Sequence, residues 1–262
     1  MTKEAAIGTY TQGSIFNGLR ISDGSERLGI IVTARCDIAH QRSRPLVCLP
    51  VYHLSDWMQV RGNGEVAEQS RVAIENIISD ILKKYDVSIK AIEIYGFDRA
   101  IEILDQKKIK APDRKKLEEL ESYIKERNVR TTNKVIKENR KKYMESIIKN
   151  VRNDTFFVER IVQGAEPPEG YVVDLSEPIC LSKRTLGEIS KGLEYVKYAR
   201  EKDAEYKNII ISEGGQAFFI STLVSPYVEL LLQRFSHLYN RVGTQDIAED
   251  DLMTVRRLYE ID

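Results

Sequence analysis

Residues 10–53 read YTQGSIFNGLRISDGSERLGIIVTARCDIAHQRSRPLVCLPVYH, and this stretch decides the fold. It holds three apolar runs, Ser14–Ile21, Leu28–Thr33 and Leu46–Tyr52, with polar breaks at Ser22–Arg27 and Ala39–Pro45. Short β-branched runs bounded by Gly, Ser, Asp and Pro are the pattern of consecutive antiparallel strands. Asp23-Gly24 in the first break is a hairpin signal. Gly18, inside the first run, marks a bend or bulge. The second run is apolar on both faces, as a central strand is.

Working outward, Arg61-Gly62-Asn63-Gly64 reads as a break, and from Glu65 the period turns helical. Val66, Ile74, Ile77, Ile78, Ile81 and Leu82 form one stripe, ended by Tyr85 and Asp86. Ser88–Tyr95 fits a strand or a helix, and Phe97–Leu104 a short helix. Leu117, Leu120, Ile124, Val135, Ile136, Tyr143, Ile147 and Ile148 lay a narrow apolar stripe on otherwise charged helices. Strands are predicted again at Tyr171–Leu175, Pro178–Leu181, Asn208–Ser212 and Ala217–Leu223, with Glu213–Gln216 as a hairpin connection between the last two. Ser225-Pro226 has the chemistry of a helix start, and a final helix is expected over Ala248–Tyr259. Three N-terminal strands are too few to shield two faces, so the late strands are expected to join them. The fold class is therefore α+β. Residues 1–62 and 165–262 form a split barrel with C-terminal helices, and 63–164 are a helical, partly basic insertion.

The chain has 262 residues and no formal net charge, so no global attraction to nucleic acid or membrane is implied. Charge is uneven, however. Residues 105–152 carry 16 Lys and Arg against 8 Asp and Glu, and the remainder compensates. No apolar run reaches membrane-spanning length. MTKEAAIGTY lacks an apolar signal core, which points to the cytoplasm. Cys36, Cys48 and Cys180 are odd in number and include no CxxC pair, against both a disulfide framework and a four-cysteine zinc site. Cys48 and Cys180, inside apolar runs, read as buried thiols. No cofactor is implied.

Chemically capable side chains gather at Cys36, Asp37 and His40, just past the second strand. A thiolate needs a base such as His and gains from nearby positive charge, here Arg35. The bland alternative is a half-buried Cys36 with Asp37 capping a turn. Cys36, His40 and His53 are ligand types that suit zinc, at a spacing that fits no standard pattern. The second candidate is the basic segment: Lys107, Lys108, Lys110, Arg114, Lys115 and Lys116 in one cluster, Arg140, Lys141 and Lys142 in another. Such clusters bind phosphate backbones by counterion release. A merely solvated helical face, or docking of a partner along the apolar stripe, are the competing readings.

Gly13-Ser14-Ile15-Phe16, Gly24-Ser25-Glu26-Arg27 and Gly29–Thr33 together resemble the opening of the MazF/PemK growth-inhibitor toxins. The resemblance covers about the first fifth of the chain and implies a small SH3-like barrel and cleavage of single-stranded RNA. It would make Arg27 a phosphate contact and Thr33 a strand-end polar group. Ser14 stands where the family has an acid, and Leu28-Gly29 where it has Arg-Pro. The run Val32–Ile38 also resembles uncharacterised bacterial proteins whose barrel strand ends in Thr-x-x-Cys-Asp, some from phage-defence or stress loci. The expected function is an intracellular defence or stress component that binds a protein partner from the same operon, or single-stranded RNA or DNA. It would lie off the membrane, with a homo-oligomer left open. The alternatives are a toxin-type endoribonuclease with Arg27, Thr33 and Arg35 around the scissile phosphate, and a cysteine hydrolase using Cys36 and His40.

Overall fold

A computed structural model describes residues 1–39, 45–126, 134–161 and 170–239. His40 and the last expected helix lie outside them. The chain is a mixed α and β protein that divides into two compact units, residues 1–52 with 152–262, and residues 53–151.

The first unit is built on the opening stretch. Strands β1 (Thr2–Glu4), β2 (Ser14–Arg20), β3 (Glu26–Ile31) and β4 (Leu46–His53) come first, with a five-residue helix, α1 (Arg35–Ala39), before β4. The turn at Asp23-Gly24 forms as its residues dictate. Gly24 has φ +84°, and the Asp23 carboxylate accepts from Ser25 N at 2.7 Å. Gly18 marks the expected irregularity. The β2–β3 register shifts between Phe16 and Leu19. At φ +85° a Cβ on Gly18 would sit 3.0 Å from the Ile210 carbonyl oxygen, so an L side chain is disfavoured by both the backbone conformation and the close approach.

The later elements are β5 (Thr155–Val158), β6 (Tyr171–Asp174), β7 (Ile179–Leu181), β8 (Leu193–Glu194), β9 (Gln216–Ala217) and β10 (Phe219–Leu223). Strands from both ends of the sequence share one curled sheet, in the order β1-β10-β2-β3-β4-β6-β5, with β7 also on β4. It is a half-barrel. The hydroxyl of Thr2 on edge strand β1 donates to the carbonyl oxygen of Arg160, just past β5, at 3.0 Å.

Alternating side chains along β2 to β4 feed two cores, because both faces of the sheet are covered. Ile15, Ile30 and Leu49 pack with Val173 and with Val228 and Leu231 of the last described helix (Tyr227–Tyr239). Phe16, Ile31 and Cys48 pack on the other face with Leu186, Tyr206 and Ile209. Two short helices, Lys183–Ser190 and Tyr195–Glu201, belong to that second layer.

Several expectations are corrected here. Asn208–Ser212 is not a strand: its one bridge joins Ile209 to Leu19, and Ile209 and Ile211 are apolar because they fill the second core. The turn at Gly215 therefore leads not into a 208–223 hairpin but into β9, which pairs with β8. Thr2–Glu4, where no strand is expected from the sequence, form edge strand β1, paired with β10. Cys48 is buried as expected, and burial pushes its thiol pKa far up. Cys180 instead faces outward.

The second unit is helical: α2 (Leu54–Trp57), a π turn (Met58–Gly62), α3 (Asn63–Lys83), α4 (Lys90–Tyr95), α5 (Phe97–Gln106), α6 (Ala111–Glu126) and α7 (Lys134–Ile148). The predicted break at Arg61–Gly64 is thus continuous helix, wound one residue wider. Gly62 serves packing rather than interruption, since a Cβ there would meet Met58 Sδ at 2.6 Å and the Tyr143 ring at 3.1 Å. Ser88–Tyr95 resolves as helix. Ile74, Ile78, Ile81 and Leu82 of α3 form the core with Phe97, Leu104, Leu117 and Leu120. Among the described residues no helix is long and apolar enough to cross a membrane.

Candidate nucleic-acid interface

The residues singled out near the second strand do not converge. Arg27 and Thr33 are six residues apart on nearly extended chain, which separates them by about 20 Å. The Arg27 guanidinium lies 5.1 Å from the Tyr52 ring centroid and donates to its neighbour's carbonyl, Glu26 O, at 2.7 Å. Thr33 is occupied too: its hydroxyl oxygen accepts from Val47 N at 2.6 Å, continuing the β3–β4 ladder past its last paired residue. Replacing Thr33 with Val removes that acceptor. Urea denaturation should register a loss of about 1 kcal/mol.

Arg35, Cys36 and Asp37 sit on α1, none of whose residues is buried. Cys36 is exposed rather than half-buried. The helix is held by Lys183, whose ammonium donates to the carbonyl oxygen of Asp37 at 3.0 Å. A cleft of about 300 Å³ opens between the ends of β3 and β4, lined by Val32, Thr33, Asp37, Pro45, Val47 and Phe235 among others. Its walls are mostly apolar, and none of the lining residues among those described is a cation. Among the described residues no group of three His, Cys, Asp or Glu side chains is placed to hold a metal ion.

The basic segment behaves differently, because the fold adds to it. Helix α5 ends in a turn with Lys108 at φ +60°, which redirects the chain into α6. Tyr85, at the end of α3, fastens this turn: its hydroxyl donates to Asp113 Oδ2 at 2.9 Å and accepts from Lys110 N at 2.9 Å. The Lys107 ammonium donates to Asp86 O at 3.2 Å, and Lys84 pairs with Asp113 at 3.2 Å. The Tyr85 hydroxyl, with Lys84 second, holds the Asp113 carboxyl below the usual aspartate range.

Two segments more than twenty residues apart thereby present Lys83, Lys84, Lys107, Lys108 and Lys110 on one joint, all exposed. Asp86 and Asp113 oppose them there, and Asp105 stands two residues before Lys107. Lys83, Lys108, Lys110, Lys115 and Lys116 make no ion pair among the described residues. Arg114 is spent on Asp105 at 2.7 Å and Glu118 at 3.0 Å. On α7, Lys141 shares Glu145 with Lys149, while Arg140 and Lys142 stay exposed and without an ion pair among the described residues. Lys83 and Lys84 escape sequence reasoning because two basic residues at a helix end also suit its dipole. Nothing in the order of residues says that 83–84 meets 107–110. Comparison of the chain with protein-family models, curated proteins and solved structures found no match.

Proposed function

We propose that this protein is a nucleic-acid-binding component of an intracellular bacterial defence or stress system, and that it grips the phosphate backbone through the lysine joint between α3 and the α5–α6 turn. The observation that carries this reading is the gathering of Lys83, Lys84, Lys107, Lys108 and Lys110 by the Tyr85–Asp113 bonds. Of these Lys84 alone is paired, with Asp113; the ammonium groups that make no ion pair among the described residues can displace condensed counterions from a polyanion, and the entropy of that release drives binding. The cellular setting rests on the toxin-like opening and the Thr-x-x-Cys-Asp strand end. An SH3-like reading of the half-barrel finds support in the β2–β3–β4 meander and in β10, which pairs with β2 across two hundred residues. The ribonuclease reading finds less, since Arg27 and Thr33 stand apart.

The test is a fluorescence-anisotropy titration of the full chain against labelled mixed-sequence DNA and RNA at low salt. The double variant Lys108→Glu/Lys110→Glu should bind on the order of 100-fold more weakly, because it replaces two attractive contacts with repulsive ones. Both residues are exposed, so folding should be unaffected. Equal affinity of the variant and the parent would remove the joint as the interface.

A further inference from the structure

The architecture of the same joint bears on which nucleic acid it takes. Proteins that hold single strands without sequence preference pair a basic groove with exposed aromatic rings on which bases stack. A duplex hides its base faces and offers a rigid, regularly spaced double row of phosphates. In the helical unit, Trp57 and Tyr143 are 1% and 2% exposed, and Phe97 is 6% exposed. Tyr85 lies within the joint but is half-buried, and its hydroxyl is committed to Asp113 and Lys110 N. Among the aromatic side chains described in this unit the exposed ring is Tyr95, 64% exposed, and it lies on α4 rather than on either lysine-bearing segment; Tyr123, near the end of α6, is outside the described side chains. The lysines are also set on a fixed base. Both segments are anchored in one apolar core that includes Leu82, Val87, Leu104 and Leu117, and they are cross-bonded through Tyr85. A flexible strand can wrap onto scattered charges, whereas a stiff array is matched best by a stiff ligand.

We infer that the lysine joint takes double-stranded nucleic acid, contacting the phosphates from two segments at once, with Lys83 and Lys84 belonging to the site as fully as Lys108 and Lys110. This rests on the binding function proposed above. Tyr85 is a positioning residue, since it holds the two segments in register and offers no free face for stacking.

The experiment uses the full chain with a 20-base-pair DNA duplex, the matching RNA duplex, and each single strand alone, titrated by anisotropy over a range of salt concentrations. The duplexes should bind at least about tenfold more tightly than their strands, and the two duplex arms show which backbone is preferred. Lys83→Ala/Lys84→Ala should weaken duplex binding as much as Lys108→Ala/Lys110→Ala, each lowering the slope of log affinity against log salt by about two. Tyr85→Phe should weaken duplex binding without changing that slope, and Tyr95→Ala should change nothing. Tighter binding of single strands, or a loss of affinity in Tyr95→Ala, would overturn the duplex inference while leaving the nucleic-acid function standing. An unchanged slope in Lys83→Ala/Lys84→Ala would remove that pair from the site. No binding of any duplex or strand at low salt would sink both this inference and the proposed function.

Discussion

Replacing Trp57 with Ala should cost the helical unit about 3–5 kcal/mol, the range for emptying a buried aromatic site. The indole is 1% exposed and sits where α2 passes into the π turn. Its Nε1–H donates to the Tyr143 hydroxyl oxygen at 3.1 Å, and that hydroxyl donates onward to Glu65 at 3.4 Å. The Arg61 guanidinium lies 5.4 Å from the ring centroid. One side chain thus joins the first helical turns to α7 by packing and by a polar chain. Trp57→Phe keeps much of the volume and loses the donor, so its cost should be smaller, about 1–2 kcal/mol. The chain has a single Trp, so parent fluorescence reports this unit alone, while the variants are followed by circular dichroism during denaturation. A loss under 1 kcal/mol in Trp57→Ala would show that the ring does not hold the π turn against α7.

That site also shows why part of the fold was hidden in the sequence. Glycines at 62 and 64 signal a break by propensity. At 62, however, the missing Cβ is what lets Tyr143 approach, and an approach between residues eighty positions apart leaves no local trace. Asn208–Ser212 misleads for a related reason. A β-branched run says that a segment is buried, not how far its backbone pairs, and here the pairing with β2 is confined to one bridge at Leu19, flanked by Arg20 N on Asn208 O at 3.0 Å and Ile210 N on Gly18 O at 2.9 Å. What could be read directly is the opening stretch. Its three strands, the Gly18 bulge and the Asp23-Gly24 turn are each fixed by residues within a few positions of one another. The helical stripe of α3 is legible likewise, from its period.

The candidate site divides along the same line. Composition alone marks Lys107–Lys116 as basic, whereas the contribution of Lys83 and Lys84 depends on a tyrosine bonding across the joint. The trio at 36–40 drew attention because its residue types are reactive. Reactivity needs convergence, and the described members, Cys36 and Asp37, lie on a short exposed helix that Lys183 tethers through its backbone carbonyls.

The largest effect expected in the sheet unit comes from adding atoms rather than removing them. Gly29 lies directly across from Phe16 in the β2–β3 ladder. A Cβ at position 29 would come within 2.5 Å of Phe16 Cζ, 2.8 Å of its Cε1 and 3.1 Å of Leu19 Cδ2. The ring cannot retreat easily. Phe16 is fully buried and meets Phe219 edge-on at 5.6 Å between centroids, and Phe219 is stacked on Tyr10 at 5.5 Å. The phenyl therefore covers the glycine's bare backbone, and the row of rings behind it fixes its position. Gly29→Ala should cost about 1–3 kcal/mol, and Gly29→Val about 3 kcal/mol or more, as overpacking into a rigid neighbour does. Coupling distinguishes this cause from a general intolerance of side chains in β3. Phe16→Leu removes the ring atoms that would clash, so Gly29→Ala in that background should cost at least 1 kcal/mol less than in the parent. Urea midpoints of the four proteins in the cycle measure the difference. If the two substitutions simply add, the contact between ring and glycine does not set the cost, and the strain must arise in the β3 backbone itself.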